Sequence, residues 1–380
     1  MRVQQVKLSS SQDLAALDEL LGLDPAMLLV FGAVPFFSDF DLHGALRSRF
    51  PKALLMGCST AGEISPDGVS DGQCVVTAVK FDRTTLRLAS TRADTMADSF
   101  SAGERLGRDL AAPELQGVLL YGPGVALNGS ALVEGLTCAL GPGVPITGGL
   151  AADAGAFTQT WVLGNDGVSD RAVVALGLYG EAVRLGHGSF GGWVPFGPAR
   201  RVTRAEGNVL HELDGEPALT IYKRYLGDHA KDLPASGLLF PFSMHDEAQD
   251  GTGLIRTILA VDEASGSLTL AGEVAQGCFL KLMQASTDRL IDGAENAAEA
   301  ARAMQGGHDA TLAILVSCVG RKLVMGSQVD EEVASVGEVL GPRALLTGFY
   351  SNGEISPLAE AGNCELHNQT MTITTLYEAA

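Results

Sequence analysis

The sequence predicts an α/β fold of two domains, built from duplicated βαβ-plus-hairpin units with mixed sheets. Three observations point to it. Residues 57–66, GCSTAGEISP, and residues 348–357, GFYSNGEISP, share Gly at the first and sixth places and then Glu-Ile-Ser-Pro. A strand–helix–strand pattern precedes each copy, and a run rich in β-branched residues follows it, Gln73–Phe81 and Met371–Tyr377. A chain of 380 residues with 47 Gly, 46% hydrophobic and 19% charged residues has a globular composition and room for about two to three domains.

Each element follows from local pattern. Met27–Phe31 reads as a buried strand, residues 38–49 as a helix and Ala53–Met56 as a second strand. A helical crossover between two strands is what parallel pairing requires. Before the second copy, Thr311–Val316 reads as a strand, residues 328–340 space Val329, Val333, Val336 and Leu340 as a helix does, and Ala344–Leu346 is again a strand. A weaker third copy lies between them: strand Gly117–Tyr121, helix Ser130–Leu140, strand Val144–Ile146, then GGLAAD and strands through Thr158–Leu163 and Ala172–Leu178. The middle departs from the repeat. Gly186–Gly197 is rich in glycine and aromatics, Glu206–Gly227 reads as a turn and helix, Leu254–Val261 and Ser267–Ala271 as a hairpin, and Asp288–Met304 as an Ala-rich helix. The expected organisation is a lead segment 1–26, an N-terminal domain 27–221 and a C-terminal domain 222–380.

Composition excludes several functions. A net charge of −19 repels nucleic acid and anionic membranes, and the short basic run Arg200–Arg204 reads as a surface that pairs with nearby acids. No apolar run approaches the ~18 residues of a membrane span, and MRVQQVKLSSSQD lacks a signal-peptide core, so a cytoplasmic location is expected. The six cysteines form no C-x-x-C pair and read as small buried hydrophobes, not as a zinc site or disulfide framework. His245 with Glu247 and Asp250 reads as a solvated loop more than a metal site, and neither a P-loop nor a dinucleotide fingerprint is present.

The repeated loop directly follows a strand of a βαβ unit, the place where open α/β sheets bind ligands. Candidate ligand-binding residues are Cys58, Ser59, Thr60, Gly62 and Glu63 in the first copy, Ser351, Asn352, Gly353 and Glu354 in the second, and Asp153 in the third. Arg321, in Ser-Cys-Val-Gly-Arg after a buried strand, is placed to clamp a ligand carboxylate bidentately while a Glu meets an amine. The same Gly-Glu-Ile-Ser-Pro would also serve as a structural turn kept by duplication. GCSTAG approaches the G-x-S-x-G elbow, but Ala61 stands where Gly is needed, and the other copy has Phe349 and Tyr350 at the matching places. No catalytic residue is therefore expected. Phe190, Trp193 and Phe196 either wall the cleft or pack a domain junction.

GCSTAGEIS, PITGGLAADAG, the stretch GGWVPFGPARRVTRAEGNVLHELDGEPAL, SCVGR, GFYSNGEISP and CELHNQTMTITTLYE together resemble the FIST family, with both its N-terminal and C-terminal domains, from about residue 27 onward. The resemblance implies an intracellular sensory module for a small ligand, amino acids having been proposed. It also implies a separate signalling partner such as a histidine kinase or cyclic-dinucleotide enzyme, and no agreed catalytic residues; no cofactor is expected, haem being the alternative. One branch resembles haem-based nitric-oxide sensors, for which His187 or His211 would be the axial ligand; the HELDGEPAL and LHNQT stretches resemble the general branch instead. A protein-interaction module without a small ligand is the other reading, and it requires a large exposed apolar patch.

Overall fold

Three similar units pack around one apolar core in the computed structural model, which describes residues 1–10, 12–246, 253–357 and 364–379. The first unit holds β1 (Arg2–Leu8), β2 (Met27–Gly32), α1 (Val34–Ser38), α2 (Leu42–Arg49), β3 (Leu54–Ser59), β4 (Glu63–Ser65), β5 (Gly68–Ser70) and β6 (Cys74–Lys80). The second repeats it as β7 (Thr85–Arg92), α3 (Ser99–Leu110), β8 (Leu115–Gly122), α4 (Gly129–Leu140), β9 (Ile146–Leu150), β10 (Val162–Gly164), β11 (Gly167–Ser169) and β12 (Ala172–Tyr179). The third begins with β13 (Val183–Phe190) and is then interrupted. An inserted module follows, of β14 (Val194–Glu206), β15 (Val209–Leu213), β16 (Glu216–Pro217), α5 (Ala218–Leu226), β17 (Phe242–His245), β18 (Leu254–Arg256), β19 (Ile258–Asp262), β20 (Ser267–Leu270) and β21 (Phe279–Gln284). The third unit then resumes with α6 (Thr287–Ala303), β22 (Leu312–Cys318), α7 (Val319–Met325), α8 (Val329–Leu340), β23 (Leu345–Ser351), β24 (Gly353–Pro357), β25 (Cys364–His367) and β26 (Met371–Glu378).

Each unit contributes one parallel pair, β2 with β3, β8 with β9 and β22 with β23, flanked by antiparallel strands. The sheets are mixed, as expected. The lead segment is part of the first sheet: β1 pairs with β6 from Arg2 opposite Lys80 to Leu8 opposite Cys74. The third unit spans the expected boundary at 221/222, with β13 before it and β22, β23 and β26 after it.

The short hairpin after each Gly-loop does not stay in its own sheet. The β4–β5 hairpin joins the third sheet beside β23, β24–β25 joins the second beside β9, and β10–β11 joins the first beside β3. Two strands this short are marginal alone. Each gains stability by covering the edge strand of a neighbour's sheet. Sheet faces from all three units enclose one apolar core, in which Phe31 stacks on Phe349 at 4.8 Å and Tyr121 meets both edge-on at 5.4 and 5.8 Å, one ring from each unit. The helices of each unit cover the opposite face of its sheet with a separate core. The inserted module has its own core, around Leu210, Tyr222, Leu268 and Leu280. Two arginines of its basic run pair within the module, Arg200 with Asp214 at 3.0 Å and Arg204 with Glu212 at 3.1 Å.

The glycine that opens each repeated loop has one physical cause. Gly57, Gly148 and Gly348 lie opposite Val30, Leu120 and Leu315 on the parallel partner. A Cβ there would sit 1.8, 2.1 and 1.8 Å from the partner's carbonyl oxygen. No rotamer relieves a clash with backbone. Gly57→Ala or Gly348→Ala is expected to destabilise by on the order of 3 kcal/mol, read as a lower urea midpoint at unchanged slope.

Candidate functional site

β3 and β23 run through the first glycine, so the true turns are only residues 60–62 and residue 352. At each turn a hydroxyl donates to the carboxylate three residues on: Thr60 Oγ1 to Glu63 Oε1 at 2.6 Å, and Ser351 Oγ to Glu354 Oε1 at 2.6 Å. The same carboxylates accept from the strand that returns after the hairpin, Glu63 from the Gln73 backbone N–H at 3.0 Å and Glu354 from the Thr370 N–H at 3.1 Å. Each Glu thus pins its turn to the base of the exchanged hairpin. The loop of the second unit has Ala151 and Ala154 at these two places, so both members of the clasp are missing together. Asp153 organises that turn differently, accepting from the N–H groups of Phe157, Thr158 and Gln159 at 2.8, 2.6 and 3.0 Å.

Burial pushes Glu63 up to about 7, against the lowering effect of the Thr60 and Gln73 hydrogen bonds. Glu354 is likewise pushed up to about 7 by burial, against its bonds to Ser351 and Thr370. Their surroundings differ. Glu63 lines a cleft of about 830 Å³ together with Thr60, Gly62, Asp71, Asp153 and Lys322. The cleft opens where β2 and β3 end, with Val34 and Pro35 on one wall and Trp161 on another. Glu354 is fully buried. The two Gly-Glu loops touch through backbone, but Asn352 lines a different cavity, of about 340 Å³.

The remaining candidates are placed as follows. Cys58 lies in the central core, where burial pushes its thiol well above the usual range. Ser59 Oγ donates to Ala152 O at 2.7 Å and accepts from the Trp161 N–H at 2.9 Å, which ties the first and second units together. Gly62 lets a lysine approach, since a Cβ there would lie 2.5 Å from Lys322 Nζ. Gly353 pairs with Leu150 in the exchanged strand. Arg321 is not brought to the cleft. It is fully buried, its guanidinium pairs with Glu332, and it donates to Gly191 O at 2.6 Å and Leu290 O at 2.8 Å. Tyr350 and Ser317 complete the carboxylate's partners at 2.6 and 3.1 Å. This network joins α6, α7, α8 and the end of β13.

The cation that does line the cleft is Lys322, one residue on and about 100° around the helix. Its Nζ donates to Ala61 O at 2.8 Å and pairs with the exposed Asp71. Sequence reasoning passed over it because a lysine at a helix surface carries no signal of its own. Phe190 and Phe196 are exposed and Trp193 is buried at the junction, donating to Gln369 O at 2.7 Å; none of the three lines the cleft. His187 lies on β13 and His211 on β15, and neither lines the two cavities described. Glu247 and Asp250 lie outside the described residues, among which no group of His, Cys, Asp and Glu is arranged to hold a metal ion. No helix among them is long and apolar enough to cross a membrane.

The mixed sheets and their exchanged hairpins define an α/β architecture with clefts at its strand ends, and family comparison assigns it. The FIST N domain model matches residues 26–216 and the FIST C domain model residues 218–357, so the chain belongs to the FIST family, whose domains are generally sensory or signalling modules. Uncharacterized proteins from two strains of Mycobacterium tuberculosis are 27% identical over 376 residues, covering 94% of this chain and 93% of their own length. An uncharacterized Methanocaldococcus jannaschii protein is 26% identical over 208 residues, covering 50% of this chain and 38% of its own. A cyanuric acid hydrolase crystal structure from A. caulinodans aligns over 100% of this chain and 99% of its own at 11% identity and a TM-score of 0.37, too weak a likeness to carry an argument.

Two consequences are measurable. Arg321→Ala strands Glu332 in the interior and is expected to cost about 3–5 kcal/mol, whereas Lys322→Met breaks a partly exposed pair and is expected to cost less than about 1 kcal/mol; urea unfolding of both separates the roles. Raised carboxyl values make the unfolded chain release protons first, so Glu63 and Glu354 reduce stability as pH rises from about 4.5 to about 7. Against the wild type, Glu63→Gln should show less of this decline. His367, held down at about 4 by burial, slopes the other way but is common to both proteins and cancels in the difference.

Proposed function

We propose that the chain is a non-catalytic sensory module that takes a small amine-bearing metabolite, such as an amino acid, into the cleft at the ends of β2 and β3. The observation that carries this reading is the cleft itself. At about 830 Å³ it falls in the range of small-molecule sites. It sets one cation, Lys322, among three carboxylates, Glu63, Asp71 and Asp153.

Asp153 is saturated by backbone N–H groups and Glu63 is held by Thr60 and Gln73, so the Lys322–Asp71 pair is the group most open to a ligand, with Glu63 beside it in the lining. Asp71 is largely exposed, and exposed pairs are weak. A ligand carboxylate replaces Asp71 at Lys322, and the ligand ammonium favours the ionised form of Glu63. Lys322 thus takes the role expected of Arg321. The bound state is passed to a separate signalling partner, a histidine kinase or a cyclic-dinucleotide enzyme being the classes the family suggests.

A thermal-shift and calorimetric screen of amino acids and related amines tests this. One class should raise the melting temperature saturably, because a ligand that binds only the folded state stabilises it. Lys322→Met and Glu63→Gln should each weaken it about tenfold or more. Unchanged affinity in both variants would sink the reading.

A further inference from the structure

We infer a second ligand site, independent of the amine cleft, for a neutral molecule with an apolar body and a carboxamide-type edge. It is the cavity of about 340 Å³ beyond the end of β8, closed by the inserted module. Leu127, Leu150, Phe157, Leu270 and Leu366 give it an apolar wall, and the partly exposed Met96 and Leu259 stand on its lining.

One polar side chain breaks this wall without explanation from the fold. The position four residues after the repeated loop glycine is Ala61 in the first unit, Ala152 in the second and Asn352 in the third. All three make the same backbone hydrogen bond to the neighbouring unit: Ala61 N–H to Tyr350 O, Ala152 N–H to Ser59 O and Asn352 N–H to Leu150 O. The backbone role therefore needs no amide side chain, as the two alanines demonstrate. Both amide atoms of Asn352, donor and acceptor, are nevertheless buried with no hydrogen-bond partner among the described residues. Such atoms are costly to bury and are expected to be paired. The amide lies against Gly124, where a Cβ would sit 1.8 Å from the Ala151 carbonyl oxygen and 2.9 Å from Asn352 Nδ2.

The chemistry selects the ligand. A side-chain amide offers one donor and one acceptor side by side, and its complement is another amide edge presenting an acceptor and a donor. A turn of the Asn352 amide toward the cavity brings both into use. Glu273, which lines the same cavity and accepts from Asn128 Nδ2 at 2.7 Å, disfavours an anion. The inserted module supplies Asn208, Leu259, Leu270 and Glu273, so an occupant bridges that module and the second unit.

Benzamide is the probe, with N,N-dimethylbenzamide, which lacks the N–H donors, as its control. Titrated into the full chain, benzamide should bind saturably by calorimetry and raise the melting temperature, and the dimethyl compound should bind about tenfold more weakly. Asn352→Ala should melt no lower than the wild type and lose about tenfold in benzamide affinity. Absence of saturable benzamide binding up to its solubility overturns the inference, as does unchanged affinity in Asn352→Ala. Should that variant fail to fold, Leu259→Asp, at a partly exposed position, decides: retained benzamide binding overturns the site and its loss supports it. Neither result bears on the amine cleft, whose variants are Lys322→Met and Glu63→Gln.

Discussion

The close crossing of backbone at Gly57, Gly148 and Gly348 is the constraint on which the rest of the molecule depends. Only a residue without Cβ lets each second strand lie against the carbonyl of its parallel partner. Beyond that point the three segments turn and engage one another through a cyclic set of backbone hydrogen bonds. Ala61 bonds to Tyr350 at 2.9 Å, Asn352 to Leu150 at 3.2 Å and Ala152 to Ser59 at 2.8 Å. Each exchanged hairpin then completes a neighbour's sheet. No unit holds all the strands of its own sheet, so the three form one structure around the Phe31–Tyr121–Phe349 cluster.

Repetition of the frame freed its loops to diverge. The clasp of hydroxyl and glutamate is present in the first and third units, where it holds the hairpin base, and in the second both places are alanine while Asp153 holds the turn through backbone N–H groups. The same glutamate ends in different surroundings. Glu63 borders a cleft that Lys322 reaches across from the third unit, whereas Glu354 is sealed within the protein. Chemistry in this fold belongs to the junctions between units, where residues from different copies meet.

The inserted module adds an asymmetry that the repeat lacks. It has a separate core, yet it is stitched to the frame by buried polar contacts: Arg256 reaches Leu366 O at 3.3 Å and Gln369 reaches Leu238 O at 2.9 Å. Burial holds the Arg256 guanidinium down at about 10, and its partners are backbone carbonyls, including Glu273 O at 2.9 Å. The module is attached in this way between β13 and α6, and it supplies part of the lining of the cavity it closes.

The sequence by itself determined the repeat, the α/β class and the family, since strand and helix periodicities and the Gly-Glu-Ile-Ser-Pro motif are local properties of the chain. It located strands such as Met27–Phe31 and helices such as 328–340 to within a few residues, because burial imposes their periods directly. It marked Thr60, Gly62, Glu63 and Asp153, which the fold gathers at one cleft. Tertiary structure alone decided which sheet each hairpin joins, because a three-residue strand carries no record of its partner. It also decided between Arg321 and Lys322, neighbours in sequence that differ only in the direction a helix turns them. The arginine meets Glu332 in the interior and the lysine meets solvent and the cleft. Which carboxylate borders a cleft, and which is sealed inside, depends on the units packed around it and not on the ten residues that spell the motif.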